Sequence, residues 1–256
     1  MRALLSFLYG IVAYAAFQVV MLYFVGFGAN LVVPRSVDSG IGAPWPQAVA
    51  IDLALLLLFG VQHSVMARRG FKRWWAGIVP PVVERSTFMM ATCLVLALMM
   101  WLWVPITTPV VWRVEQRAGV ALLWGLFGLG WALAMASTFL IDHFELFGLR
   151  QVFAQLTRRP LPEARFRTPL FYRHVRHPMY LGFLIGFWSA PVMTAGRLLF
   201  AAGLSLYILV GIAFEERDLL RDFGERYRRY REQVGMLIPR LGSGGTTIAD
   251  PADKAG

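Results

Sequence analysis

Charge-poor stretches alternate with short arginine-rich segments along this chain, and their lengths are those of a membrane protein. Residues 4–27, 48–66, 88–105 and 118–141 are each apolar over about the 20 residues that a helix needs to cross a bilayer. A fifth apolar region, 179–214, is too long for one ordinary span and is interrupted by Pro191 and by Thr194-Ala195-Gly196-Arg197. That pattern predicts a helical hairpin with Arg197 at its turn. Met1-Arg2 ahead of an apolar run resembles the start of a signal peptide, but the run continues uncharged to Pro34. Its length predicts a retained helix.

Beyond the hairpin the pattern changes. Leu219, Leu220, Phe223, Tyr227, Tyr230 and Val234 recur at helical spacing among charged residues, which predicts an amphipathic helix lying on the cytoplasmic face. Residues 242–256, rich in Gly, Ser and Thr and ending in Pro-Ala-Asp-Lys-Ala-Gly, predict a disordered tail. The expected fold is therefore an all-α integral membrane protein. Four single transmembrane helices, a C-terminal helical hairpin and the amphipathic helix would make one transmembrane domain over residues 1–241.

Composition supports that class. With 57% hydrophobic and 16% charged residues and a mean hydropathy of +0.57, the chain has too little polar surface for a soluble globule. A net charge of +10 could point to nucleic acid, but the arginines cluster between apolar stretches rather than covering one surface. Lipid headgroups and topology account for them instead, so the expected partners are the bilayer and a small substrate, with no nucleic acid. No obligate protein partner can be read from the chain.

Residues 68–85 carry Arg68, Arg69, Lys72, Arg73 and Arg85, and residues 141–177 carry Arg150, Arg158, Arg159, Arg165, Arg167, Arg173 and Arg176. The alternate loops hold Arg35 in the first and Arg113 and Arg117 in the third. Counting Lys and Arg alone places both rich loops and both termini in the cytoplasm, as for a bacterial inner-membrane protein. Cys93, the single cysteine, lies in an apolar stretch and offers neither a disulfide nor a metal knuckle.

Ionisable groups at a membrane are costly, and so point to function. Three clusters are expected on the cytoplasmic side. One is Gln62-His63-Ser64, about 7 Å of helix before Arg68. Another is Asp142-His143-Phe144-Glu145. The last pairs Arg176-His177-Pro178 and Tyr180 before the hairpin with Glu215-Glu216 after it.

Each cluster has a plainer reading. His63 could simply bond a carbonyl, and Asp142 and Glu145 could mark where a helix leaves the bilayer. Glu215 and Glu216 could be acids at a helix N-terminus. Arg176 and Pro178 could be a headgroup anchor and a first-turn proline. That last reading is outweighed once Tyr180 and the Glu-Glu to Phe-Gly-x-x-Tyr pattern are taken together.

Gly125-Leu126-Phe127-Gly128-Leu129-Gly130 follows no strand and lies in an apolar span. It predicts close helix packing, as do Gly182 and Gly186, and not a dinucleotide cradle. Four histidines without an HExxH motif or cysteine partners argue against a catalytic metal.

Taken in order, Arg176-His177-Pro178-x-Tyr180-x-Gly182, a helical pair, Glu215-Glu216-x-x-Leu219-x-x-x-Phe223-Gly224-x-x-Tyr227-x-x-Tyr230 and Pro239-Arg240 resemble the integral-membrane methyltransferases. That superfamily includes isoprenylcysteine carboxyl methyltransferases and phospholipid N-methyltransferases, and the shared block covers residues 170–240. Gln62-His63-Ser64-Val65-Met66-Ala67-Arg68, Glu84-Arg85-Ser86-Thr87-Phe88 and Phe147-Gly148-Leu149-Arg150-Gln151 are similar to segments of a narrower branch. Its members are bacterial methanethiol S-methyltransferases, which make dimethyl sulfide, and NnrU-like membrane proteins. One position departs from the pattern. Many members carry Gly two residues before the tyrosine matched by Tyr172, where this chain has Leu170.

The resemblance implies an S-adenosylmethionine site. His177, Tyr180 and Leu181 would surround the methionine and adenosine portions, and Glu215 or Glu216 would meet ribose hydroxyls or the amino group. Tyr172, Arg176, Pro178 and Tyr227 would contribute. The implied reaction is methyl transfer to a small thiol, methanethiol first among them. A prenyl-cysteine or lipid acceptor, an NADPH-dependent membrane reductase and a non-catalytic NnrU-like protein remain open alternatives.

Transfer from a sulfonium to a thiolate neutralises opposite charges, so a site that excludes water favours it. A thiol that titrates at about 8.5 must first lose its proton. His63 is the expected general base, with Arg85 or Arg150 supporting the thiolate.

Overall fold

The computed structural model describes residues 1–161 and 166–240, so Arg165 and the tail expected at 242–256 lie outside the described residues. In chain order, α1 (Arg2–Ala29) and α2 (Trp45–Ala67) precede the short α3 (Arg69–Trp75) and α4 (Glu84–Leu102). Then come β1 (Val110–Arg113), α5 (Arg117–Ile141), α6 (His143–Leu146), α7 (Leu149–Thr157) and α8 (Pro178–Trp188). The last two are β2 (Val192–Thr194) and α9 (Ala195–Gln233). Among the described residues α1, α2, α4 with the turn before it, α5 and α9 make five helices long and apolar enough to cross a membrane.

The fold is mostly helical, with one addition. β1 and β2 pair as an antiparallel ribbon in which Val110 faces Thr194 and Arg113 faces Val192. Pro191 bars the chain before it from continuing a helix, and the β-branched and aromatic residues of both strands suit extended backbone. This ribbon supplies the turn of the expected hairpin, and the two arms are unequal. Helix α8 has 11 residues, about 16 Å and so about half a bilayer, whereas α9 has 39. Arg197 sits just past the turn, buried in the first turn of α9, with Nη2 3.3 Å from Asp38 Oδ2.

Within α9 the backbone breaks at Gly224, where φ is 51° and ψ is −125°. Glu216 and Arg231 are 15 positions apart, about 22 Å along a straight helix, yet Arg231 Nε lies 3.4 Å from Glu216 Oε2. The break therefore folds the final arm back on the one before it. The apolar stripe read as a single amphipathic helix is divided by this bend. Tyr227, Tyr230 and Val234 from one arm and Leu219, Leu220 and Phe223 from the other close around Phe166. Protein covers the stripe because one glycine reverses the chain midway along it.

The chain divides into two compact units, the first made of residues 1–120, 144–161 and 190–204. The second holds 121–143, 166–189 and 205–240 of the described residues. In the first, Phe17, Met89, Cys93 and Phe147 form one core cluster. Phe24, Phe27, Trp103 and Phe200 form an aromatic one, with ring centroids 5.5–6.1 Å apart. Gly148, at φ +83°, lies so close to α4 that an added Cβ would meet the Ser86 nitrogen at 2.9 Å.

In the second unit α5 and α8 touch through backbone. A Cβ on Gly182 would lie 2.5 Å from the Gly130 oxygen, and one on Gly130 would lie 2.7 Å from the Gly186 nitrogen. The packing expected of the glycines thus holds for Gly130, Gly182 and Gly186. It does not hold for Gly125 and Gly128, which meet open space.

Candidate polar site beside the helical hairpin

The motif before α8 and the motif within α9 meet in the second unit. Residues 175–177 run beside 235–236 in a short parallel bridge: the Arg176 amide donates to the Gly235 carbonyl at 2.8 Å and the His177 amide to that of Met236 at 3.2 Å. Pro178 then starts α8 at the position where a missing N–H costs nothing, and the Leu181 amide closes its first turn on the His177 carbonyl.

This places the Arg176 guanidinium between two parts of α9. Nε and Nη2 both lie 2.7 Å from Glu216 Oε1. Nη1 donates to the carbonyls of Arg231 and Val234 at the end of the returning arm, where a helix leaves acceptors unpaired. Glu216 is also fully engaged: Oε1 accepts from His177 Nε2 at 3.2 Å while Oε2 faces Arg231. Arg176 and Glu216 are buried, and each satisfies the other.

Other groups in the cluster keep capacity for a ligand. The Glu215 side chain is 43% exposed, 3.9 Å from His177 Nδ1, and bonded by the Tyr180 hydroxyl. Tyr227 is 1% exposed, and its hydroxyl has no hydrogen-bond partner among the described residues although Glu216 and Arg176 act on it electrostatically. A buried orphan hydroxyl beside an ion pair is what a polar ligand would satisfy. Tyr172 is buried, donates to the Ser137 carbonyl at 3.4 Å and accepts the Tyr230 hydroxyl on its own carbonyl. Burial first, then the charges of Glu215 and Tyr230, push its phenol well above the usual range, so it stays a donor.

Leu170, two residues ahead, has φ +40°. The position where the resemblance led to an expectation of glycine is thus one where the backbone asks for it, and an exposed leucine bears the strain. Leu170→Gly is expected to raise stability by roughly 0.5–1 kcal/mol, the relief of strain exceeding the entropy glycine adds to the unfolded chain. Thermal unfolding in detergent would measure it, and a lower midpoint would refute it.

The expected thiol-activating residues lie in the first unit. His63 on α2 has Nδ1 3.3 Å from Thr92 Oγ1, between the rings of Phe59 and Phe88 at 5.6 and 4.7 Å. Arg85 opens α4, and its Cβ is 3.1 Å from where a Cβ on Gly148 would stand. Arg150, on α7, lies 3.7 Å from Glu145 in a partly exposed pair that adds little stability. The structure thus joins Tyr172, Arg176, His177, Pro178, Tyr180, Leu181, Glu215, Glu216 and Tyr227 in one unit and puts His63, Arg85 and Arg150 in the other.

Three participants had no assigned role in the sequence. Arg231 and Tyr230 reach the cluster only through the bend at Gly224. His143 is buried against Phe139, their rings 4.0 Å apart and parallel, with Nδ1 2.7 Å from Thr138 Oγ1. Burial lowers its pKa, favouring the neutral ring. The Asp142-His143-Phe144-Glu145 segment flagged it, but nothing in that spacing pairs it with Thr138.

Among known proteins, the chain is 52% identical to a methanethiol S-methyltransferase of Mycobacterium tuberculosis, over 93% of this chain and 98% of that protein. It is also 52% identical to methanethiol S-methyltransferase 1 of Bradyrhizobium diazoefficiens, over 92% and 82% respectively. A more distant relative is nurim of Sus scrofa, 33% identical over 67% of this chain and 68% of that protein. No family model matches the chain. No solved structure matches it either.

Proposed function

This chain belongs to the family of bacterial methanethiol S-methyltransferases, and we propose that it transfers a methyl group from S-adenosylmethionine to the sulfur of methanethiol, giving dimethyl sulfide. Both termini would face the cytoplasm of a bacterial inner membrane, where the arginine-rich loops meet anionic headgroups. The observation that carries the reading is the closed Arg176–Glu216–His177 cluster, flanked by polar groups with capacity to spare.

The residues fit the implied methyl donor. Glu215, half exposed, suits ribose hydroxyls or an ammonium group, and the Tyr227 hydroxyl suits a second polar atom. His177, Tyr180, Leu181 and Pro178 would supply the walls. Arg176 and Glu216 have their hydrogen bonds already made, so they would hold those walls in place, as Tyr172 does through Ser137 and Tyr230. S-adenosylmethionine, when bound, supplies a sulfonium methyl whose broken bond leaves its electron pair on the donor sulfur.

The chain's own task is to present a thiolate, since methanethiol is a weak nucleophile while protonated. His63 takes the S–H proton as general base, and the guanidinium charges of Arg85 and Arg150 favour the anion. The apolar rings of Phe59 and Phe88 flank the imidazole.

Purified protein given labelled S-adenosylmethionine and methanethiol should release labelled dimethyl sulfide into the headspace. Silence with a panel of thiols, or binding of NADPH in place of S-adenosylmethionine, would overturn the reading. His63→Asn should cut kcat by about 100-fold, the lower range for a lost general base. Unchanged turnover would remove His63 from that role.

A further inference from the structure

We infer that Thr92 is the positioning residue that fixes the ring tautomer of His63, holding the proton on Nδ1 so that Nε2 presents the basic lone pair. The inference rests on the reading of His63 as the base and concerns a residue that no sequence motif singles out. Thr92 is 4% exposed and sits on α4, facing α2. Its hydroxyl has one proton, and that proton is already directed: Oγ1 donates to the Phe88 carbonyl one turn earlier, at 2.9 Å. Toward any other neighbour Oγ1 can only accept. His63 Nδ1, 3.3 Å away, is therefore the donor in that contact. A neutral imidazole has one N–H, so the lone pair falls to Nε2.

The ring is held in this orientation. Phe59, one turn earlier on α2, lies against it at 5.6 Å and 43°, and Phe88 of α4 at 4.7 Å and 59°. Phe88 thus has two tasks, its carbonyl fixing the Thr92 proton and its ring walling the imidazole. In the other tautomer the Thr92 hydroxyl would have to leave the Phe88 carbonyl to donate to Nδ1, and Nε2 could accept nothing.

The proton balance follows. The thiol S–H bond breaks with its electron pair kept by sulfur, and the proton moves to Nε2. The imidazolium formed keeps Nδ1–H donated to Thr92, so no rotation accompanies the transfer. The sulfur pair then forms the new S–C bond while the methyl group's bond to the donor sulfur breaks with its pair left on that sulfur, and the proton returns from Nε2 to water.

Nitrogen-15 NMR of the histidine-labelled protein in detergent reads the tautomer directly. With four histidines in the chain, a difference spectrum against His63→Asn assigns the signal. The wild type should show the Nδ1–H pattern for His63, and Thr92→Val, which removes the acceptor at nearly constant volume, should shift it toward Nε2–H. Thr92→Val should lower kcat about 10-fold or more with less than about a 3-fold change in KM, and Thr92→Ser should restore both kcat and the spectrum.

An Nε2–H pattern in the wild type would overturn the inference without any variant. A spectrum unmoved in Thr92→Val, with that protein folded, would overturn it as well. If the tautomer behaves as stated but His63→Asn turns over normally, the control by Thr92 stands and the base assignment falls.

Discussion

Glu216→Gln is expected to lose about 3 kcal/mol of stability and with it the binding of S-adenosylmethionine, although Glu216 itself would not touch the ligand. The substitution keeps the shape of the side chain but leaves Arg176 as a buried charge without its counter-ion, and breaking a buried pair from one side is expensive. The loss would lower the unfolding midpoint by roughly 10 °C in a protein of this size.

It would also release His177 and loosen the grip of Arg176 on the carbonyls of Arg231 and Val234, so the returning arm of α9 would fray. Glu215→Gln is the informative contrast. Glu215 is half exposed and holds no buried cation, so its loss should move the midpoint by less than about 2 °C while weakening S-adenosylmethionine binding at least about 10-fold. Thermal unfolding and isothermal titration of both variants check the pair. A Glu216→Gln protein with wild-type midpoint and affinity would refute the division of labour between the two glutamates.

Among the described glycines with open space beside them, Gly224→Ala should be the most damaging replacement. An added Cβ would meet no atom within 4 Å, so the cost is wholly conformational: φ 51° with ψ −125° is a backbone setting that L residues rarely adopt. Holding alanine there would cost about 1–3 kcal/mol, and a chain that relaxes into continuous helix escapes the strain at the expense of the site. Straightening would move Arg231 away from Glu216 and separate the stripe that closes around Phe166.

The expected outcome is a midpoint lowered by several degrees and little retained affinity for S-adenosylmethionine. Gly125→Ala also enters open space but lies in ordinary helix, and it should raise stability by roughly 0.5–1 kcal/mol. Equal behaviour of the two variants would show that the bend is not what shapes the cluster.

The helices that could cross a membrane were legible along the chain, because transfer of a side chain from water to hydrocarbon is set almost residue by residue. Residues 4–27 and 118–141 match α1 and α5 to within a few positions for that reason. The polar motifs that meet beside α8 were legible as well, since charged side chains are rare enough in apolar sequence to stand out. Which atoms they meet was not. That Arg176 spends its donors on Glu216 and on helix-end carbonyls, leaving Glu215 as the accessible acid, depends on a bridge between residues 175 and 235.

Periodicity alone could not show that the stripe from Leu219 to Val234 bends midway, because a single dihedral pair at Gly224 redirects the residues after it without altering their spacing. The half-length α8, the β ribbon at the hairpin turn and the threonine beneath His63 belong to the same class. Hydrophobic burial adds up locally and so can be read from sequence. Hydrogen bonds are short-ranged and directional, so their partners exist only once distant segments have been brought within about 3 Å by the tertiary structure.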